Sequence, residues 1–479
     1  MRTPSEVLRL ADHLHTELLA DWWALELPAR WEPGRATPET GGDWRAASIP
    51  ATLHARRAEL IVAASDGEAV RHGLEAGADA VVLDLDDVFS PRRGNLERAY
   101  ANFVTFAATE HPFLTRLRPL AHREGRVTFG GQQAVAGMLD LAAYAHAFRA
   151  REIVAYLPKL DTVQEALFWK RALELTERWL GLPMYSVRVC LQIETLPGLM
   201  NAEALLHALR GYAYGLNAGR WDYVFSVVKH LGERPDYLLP ERARLTMNEP
   251  SMLAYALHIV SVCRDHGAQA IGGTAAVALS GEPRRDGPAL EGVRHDKARE
   301  AAQGFVAAWA GSPALLEAVR GAFGAAPALP DADQLVAGHP LADHLGAALA
   351  LPRAEGIPDS AVQDAIGVAL AVFAAWLVGV GDVARAGRSE DTATAELARA
   401  QLWHWRRRGL LSGADYLRWR RDVSPDGAQT AQLLDALVLA EVCAPYFPGV
   451  AEAMFPEAAF PAVLSPETAP PPTAGTIDP

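Results

Sequence analysis

Two arginines, three scattered acids and one acidic run are the side chains of this 479-residue sequence best suited to chemistry. Arg116 and Arg118 lie two apart in FLTRLRPL. Arginine carries a permanent charge and a planar donor fork that matches a carboxylate or an oxyanion. Either one alone reads equally well as a strand-end arginine paired to a surface acid. Glu194 in LQIETLPG and Asp222 in GLNAGRWDY each follow an apolar run. Brought together, two carboxylates could share a magnesium ion, which completes its octahedron with water and substrate oxygens. On spacing alone they are also two loop acids, one of them capping a helix. Gly215 and Gly219 flank Asn217, and the missing Cβ would let backbone N–H groups approach a small anion. Asp391 in SEDTATAELARAQLWHW reads by itself as a helix-start acid, with Trp403 and Trp405 as packing residues. The run Asp84, Asp86 and Asp87 could also bind metal, but Ser90-Pro91 just beyond suggests a turn or helix start. These three are therefore placed behind the ligands.

Such residues work only if rigid elements hold them together. From about residue 59 to 313, short apolar runs alternate with segments of helical period, the pattern of parallel strands with helical crossovers. Candidate strands fall at 59–64, 80–85, 113–117, 153–157, 187–193, 212–216, 268–272 and 306–309. Eight is the number of a (β/α)8 TIM barrel, whose active site lies in the loops at the carboxyl ends of its strands. An open doubly wound sheet alternates in the same way, but no glycine-rich phosphate turn follows the first strand. The chain is thus an α/β protein with an amino-terminal helical clasp at 1–55, a TIM barrel at 56–314 and a carboxy-terminal helical domain at 315–460. That last domain begins where alanine- and leucine-rich helical periodicity replaces β-branched runs. The proline-rich remainder, 461–479, is expected to be disordered.

Composition narrows the function classes. A net charge of −13 disfavours nonspecific nucleic-acid binding, which needs a basic surface. Apolar runs are broken by charge or proline before the ~20 residues that a membrane span requires. Three cysteines, odd in number and far apart, suggest neither a disulfide framework nor a thiolate metal site. With no apolar leader at the amino terminus and no peroxisomal address in TIDP, a reducing cytoplasm is expected.

Taken in order along the chain, several segments resemble the malate synthase family in its shorter, A-like form. They include GDWRAASIPATLHARR, ADAVVLDLDDVFSP, LTRLRPLAH, YLPKLDTVQEA, LQIETLPG, HALRGYAYGLNAGRWDYVFSVVK, RLTMNEPSMLAY, HGAQAIGGTAA and SEDTATAELARAQLWHW, spanning roughly residues 40 to 410. The resemblance implies a magnesium-dependent condensation of acetyl-CoA with glyoxylate and hydrolysis of the adduct to malate. It makes Glu194 and Asp222 the metal ligands, Arg116 the cation beside the reacting carbonyl and Asp391 the catalytic base. Backbone amides at Gly219, Arg220 and Trp221 would hold the glyoxylate carboxylate, and Trp309 in AAWAGSP would line the substrate pocket. The residues that hold the CoA phosphates, and the base for the hydrolytic step, are not identified by it. Departures from the family pattern at Ala218, Ser312, Ser389 and Pro119 leave room for another 2-oxo acid or short acyl-CoA. A lyase of the citrate-lyase or malyl-CoA-lyase type, which stops at the thioester, is the alternative.

Overall fold

The computed structural model describes residues 5–25, 27, 40–234, 237–324 and 352–457. Its strands run β1 (Ala58–Ala63), β2 (Ala80–Asp84), β3 (Phe113–Arg116), β4 (Arg123–Phe129), β5 (Gln132–Val135), β6 (Ile153–Leu157), β7 (Val187–Ile193), β8 (Ala213–Ala218), β9 (Gln269–Ala275), β10 (Ala307–Ala310), β11 (Val383–Arg385) and β12 (Arg388–Glu390). Eight of them close a barrel in the order β1-β10-β9-β8-β7-β6-β3-β2, and every pairing is parallel. All eight expected strands are present, with ends displaced by at most three residues. Strands such as β2, AVVLD, and β6, IVAYL, are buried along their whole length. One face meets the covering helices and the other meets the barrel interior, which is why these runs are continuous rather than alternating. Val82, Leu114, Val154, Tyr156 and Ile271 fill the interior, so the barrel is a packed core and not a pore.

Gly215 lies inside β8, where a Cβ would come within 2.6 Å of the Gln269 carbonyl oxygen of β9. Its role is close strand packing and not the anion approach expected of it. Two hairpins were absent from the expected elements. β4 and β5 are joined through Gly130 and Gly131, at φ 55° and 77°, and β11 and β12 through Ala386 and Gly387, at φ 49° and 76°. Positive φ at both central residues is the turn whose twist suits a two-residue hairpin.

Helix Ser5–Trp23 packs on the barrel helices Ala136–Phe148 and Val163–Leu180, anchored by the Trp22 indole N–H donating to the Leu120 carbonyl at 2.9 Å. Helix Leu316–Gly324 lies past the boundary placed at 315, yet it packs on the barrel helix Pro283–Gln303 and on β10. An alanine-rich amphipathic helix has the same period whichever body it covers. The disordered tail expected at 461–479 lies outside the described residues. Helix Asp359–Leu377 is apolar and long enough to cross a membrane by length and composition. Here it is the centre of a second hydrophobic cluster, with Ile366, Phe373 and Trp376 packed against Leu402 and Trp405 of helix Thr392–Arg407.

Helix Thr392–Arg407 also packs on the barrel helix Arg220–Leu231. Polar contacts fix the seam: the Thr392 N–H donates to the Asp87 carbonyl at 3.2 Å, the Ser90 hydroxyl to the Trp376 carbonyl at 2.7 Å, and Arg242 grips Glu390 with two bonds of 2.6 and 2.7 Å. The helical segment is thereby locked over the carboxyl ends of the strands.

Candidate active site

At that end of the barrel a cavity of about 370 Å³ is lined by Arg116, Glu194, Gly219, Arg220, Trp221, Asp222, Trp309 and Asp391, among others. Every residue to which the family resemblance gives a role therefore lines one space, whereas Arg118 and Asp86 line another.

β7 delivers Glu194 one residue past its last paired position, and β8 leads through Gly219 into the helix that carries Asp222 in its first turn. Gly219 has a steric reason to be glycine, since a Cβ there would stand 2.5 Å from Glu194 Oε2. Carboxylate oxygens of Asp87, Glu194 and Asp222 lie within 4.8 Å of one another, and all three residues are buried. Asp87 thus joins the two expected ligands instead of standing behind them. The bend after β2 explains why: Asp84 accepts from the Asp86 N–H at 3.2 Å and the Val88 N–H at 2.8 Å, a turn that pushes Asp86 and Asp87 into the barrel mouth.

The donor set suits a hard divalent cation. Asp222 Oδ1 is buried without a hydrogen-bond partner, and three carboxylates in reach of one point offer the oxygen ligands that a hard cation takes. Charge leads to the same conclusion. Among the described residues, Asp84, Asp86, Asp87, Glu194 and Asp222 pair with only two cations, Arg116 and Lys159. Burial and the neighbouring Asp87 raise Asp222 well above the ordinary carboxylate range, and burial raises Glu194 too. Burial would also raise Asp87, but Arg116 and Lys159 hold it down at about 2.

Arg116, at the end of β3, binds both carboxylate oxygens of Asp84 and one of Asp87, the latter at 2.6 Å. Its guanidinium lies 5.2 Å over the Trp309 ring. Burial opposes the charge, but Asp84 and Asp87 more than offset that and keep Arg116 protonated. Trp309 lines the cavity as expected and is a packed barrel aromatic as well: it is 2% exposed, and its indole N–H donates to Glu59 at 3.0 Å.

Asp391 is the N-cap of helix Thr392–Arg407, where its Oδ1 accepts the Thr394 N–H at 3.0 Å and its own N–H donates to Thr394 Oγ1 at 2.8 Å. Its other carboxylate oxygen makes no hydrogen bond among the described residues and is left for the cavity. Burial and the charge of Asp87 lift its pKa to about 7, the range in which a carboxylate can act as a base near neutrality.

One expected contact moves. The Gly219 N–H donates to the Tyr255 hydroxyl at 2.9 Å, so the amides left to receive an anion are those of Arg220, Trp221 and Asp222, the first turn of the helix. Sequence reasoning missed Lys159 altogether. Its ammonium lies 2.6 Å from Asp86, 3.1 Å from Asp87, 3.5 Å from Asp222 and 3.8 Å from Glu194.

A second cavity, about 660 Å³, lies across the Asp86–Asp87 and Asp391–Thr392 seam and is lined by Asp86, His122, Arg123, Trp376, Thr392 and Tyr446 among others. Arg123 stacks on Trp22 and Trp23 at 4.4 and 5.2 Å and has no carboxylate partner among the described residues.

Comparison with known proteins gives a consistent result. A family model described as "Malate synthase, TIM barrel domain" matches residues 114–335, and one described as "Malate synthase, C-terminal" matches residues 357–435. Malate synthase of Oryza sativa subsp. japonica is 32% identical over 425 residues, covering 81% of this chain and 74% of that protein. Malate synthase A of Escherichia coli (strain K12) is 31% identical over 386 residues, covering 76% and 72%. Among solved structures, the Haloferax volcanii malate synthase pyruvate/acetyl-CoA ternary complex is 17% identical with a TM-score of 0.49, covering 79% of this chain and 97% of that one.

Proposed function

Because the chain belongs to the malate synthase family, we propose that it condenses acetyl-CoA with glyoxylate at the cavity between barrel and helical segment and hydrolyses the product to malate and CoA. The observation that carries this reading is the convergence of Arg116, Glu194, Asp222 and Asp391 on one space from two separate hydrophobic bodies. Glu194, Asp222 and Asp87 would hold magnesium, and the ion would supply Lewis acidity to the aldehyde oxygen of glyoxylate. The helix amides at Arg220 to Asp222 receive the glyoxylate carboxylate. Trp309 and the Asp84 pair keep the Arg116 guanidinium rigid at the cavity wall.

Asp391 takes a proton from the acetyl methyl group with the oxygen that does not cap the helix. Arg116 offsets the negative charge that develops on the thioester oxygen, a role that favours a fixed guanidinium in a buried site. The carbanion equivalent then attacks the aldehyde carbon. Because base and ligands come from the two sides of the seam, the closed seam also keeps water from that carbanion. The second cavity offers the CoA arm a path to Asp391 past Asp86 and Thr392, with Arg123 placed to meet a phosphate. The three cysteines are free and buried, which suits a reducing cytoplasm.

The test is release of free thiol from acetyl-CoA and glyoxylate, with and without magnesium. A synthase liberates CoA and needs the metal; accumulation of the thioester adduct without thiol would put the chain with the lyases. Asp391→Asn should fold and bind magnesium normally while turnover falls by roughly a hundredfold or more. Turnover near the wild-type rate would remove the helical segment from the chemistry.

A further inference from the structure

Lys159 sits where a metal ion would be opposed by it. Its backbone is in the left-handed region, φ 53°, disfavoured for a residue with a side chain, and that conformation is pinned. The Lys159 N–H donates to Glu194 Oε1 at 3.0 Å, and the next residue's carbonyl, Leu160, accepts from the Thr195 hydroxyl at 3.2 Å. The ammonium is thus delivered by a fixed loop into the carboxylate cluster, and it is buried. It lies against Asp87, Asp222 and Glu194 at 3.1, 3.5 and 3.8 Å, the same three residues whose oxygens could hold a cation. Its shortest contact, 2.6 Å, is to Asp86, which is outside that group and borders the other cavity.

We propose that Lys159 is the resident cation of the metal site: it occupies the carboxylates before a divalent ion does, retreats toward Asp86 when the ion enters, and so sets the affinity of the site. The inference rests on the reading of Asp87, Glu194 and Asp222 as metal ligands. An ammonium and a dication drawn to the same oxygens repel each other. Binding therefore requires the ammonium to give up Asp87 and Asp222, and of the four carboxylates paired with it among the described residues Asp86 is the one outside the metal-holding group. This arrangement spares the metal-free protein an uncompensated acidic cluster, at the cost of weaker metal binding.

The two residues give opposite signs. Magnesium titrated calorimetrically into the full-length, EDTA-stripped protein at pH 8 should bind Lys159→Met at least tenfold more tightly than wild type, and Asp86→Asn several-fold more weakly. In EDTA, Lys159→Met should melt lower than wild type, and magnesium should recover more of its melting temperature. If Lys159→Met cannot be stripped without unfolding, Lys159→Gln and the Asp86→Asn titration carry the test. Wild type binding magnesium while the Lys159 variants bind equally or less tightly, or Asp86→Asn equally or more tightly, would overturn the proposal alone. Wild type binding no magnesium would remove the metal site and this inference together.

Discussion

Arg116 and Arg118 stand two residues apart, are 3% and 4% exposed, and are wired almost identically. Each grips both oxygens of one aspartate and one oxygen of a second acid: Asp84 and Asp87 for Arg116, Asp140 and Glu124 for Arg118. The difference lies in what those acids do next. Asp140 also accepts from the Tyr100 hydroxyl at 2.7 Å, and Glu124 is taken up on both oxygens by Arg126 at 2.7 and 2.9 Å. Every carboxylate oxygen of Asp140 and Glu124 is thus taken by a protein donor, although Arg118, Glu124 and Arg126 also line the second cavity. Asp87, by contrast, shares its charge with Lys159 and faces the cavity beside Glu194 and Asp222. Burial and pairing therefore do not distinguish the two arginines. What does is the neighbour: Asp87 stands in the cavity beside Asp222, whose buried Oδ1 has no hydrogen-bond partner, so a ligand or metal can still enter there.

The comparison would break most visibly at Arg118. Arg118→Met leaves Asp140 and Glu124 buried with too few donors, and loss of one member of a buried pair costs about 3–5 kcal/mol. The melting temperature should fall by several degrees while turnover per folded molecule stays within a few-fold of wild type. Arg116→Lys should do the reverse. It keeps the charge but loses the fork that holds Asp84 and Asp87 together, so thiol release should slow by roughly a hundredfold, worth about 2.7 kcal/mol, with little change in melting. If Arg118→Met were the slower enzyme, the assignment of roles to the two networks would be reversed.

Much of this was legible because barrel strands are locally marked: short, fully apolar and bounded by turns, as in AVVLD and IVAYL. Glu194, just past β7, and Asp222, in the first turn after β8, were legible as candidates from their places at strand ends, and the family resemblance singled them out from ordinary loop acids. The hairpin β4–β5 was missed although Gly130-Gly131 is a hairpin signal, since its flanking strands, REGRVTF and QQAV, are mostly polar. Lys159 carried no local mark at all. Its partners are more than 70 residues upstream and 35 downstream, and only barrel closure brings the ends of β2, β6 and β7 together. Asp391 was posed as either a cap or a base, and sequence could not show that one of its oxygens caps the helix while the other is left toward the cavity.

That division gives the smallest and most discriminating effect. Asn at position 391 can still accept the Thr394 N–H, so the cap survives the substitution. What disappears is a carboxylate whose pKa has been lifted to about 7 by burial and by Asp87. In the unfolded chain an aspartate titrates near ~3.9, so between there and about 7 the native protein holds a proton that the unfolded chain has lost. Asp391 therefore costs stability increasingly as pH rises through that window, fully so above it, and not at all below it. Asp391→Asn, which mimics the protonated form, should match wild type at pH 4 and melt higher at pH 8 in EDTA. The gain should be on the order of 1 kcal/mol, below the ceiling of ~1.4 kcal/mol per pKa unit because the carboxylate borders the cavity. Wild-type turnover should follow the same group with the opposite benefit, rising with pH and levelling off above about 7 as Asp391 ionises. A variant no more stable at pH 8 than at pH 4, relative to wild type, would mean that burial and Asp87 do not lift Asp391, and the base would then have to be sought among the acids of the barrel mouth itself.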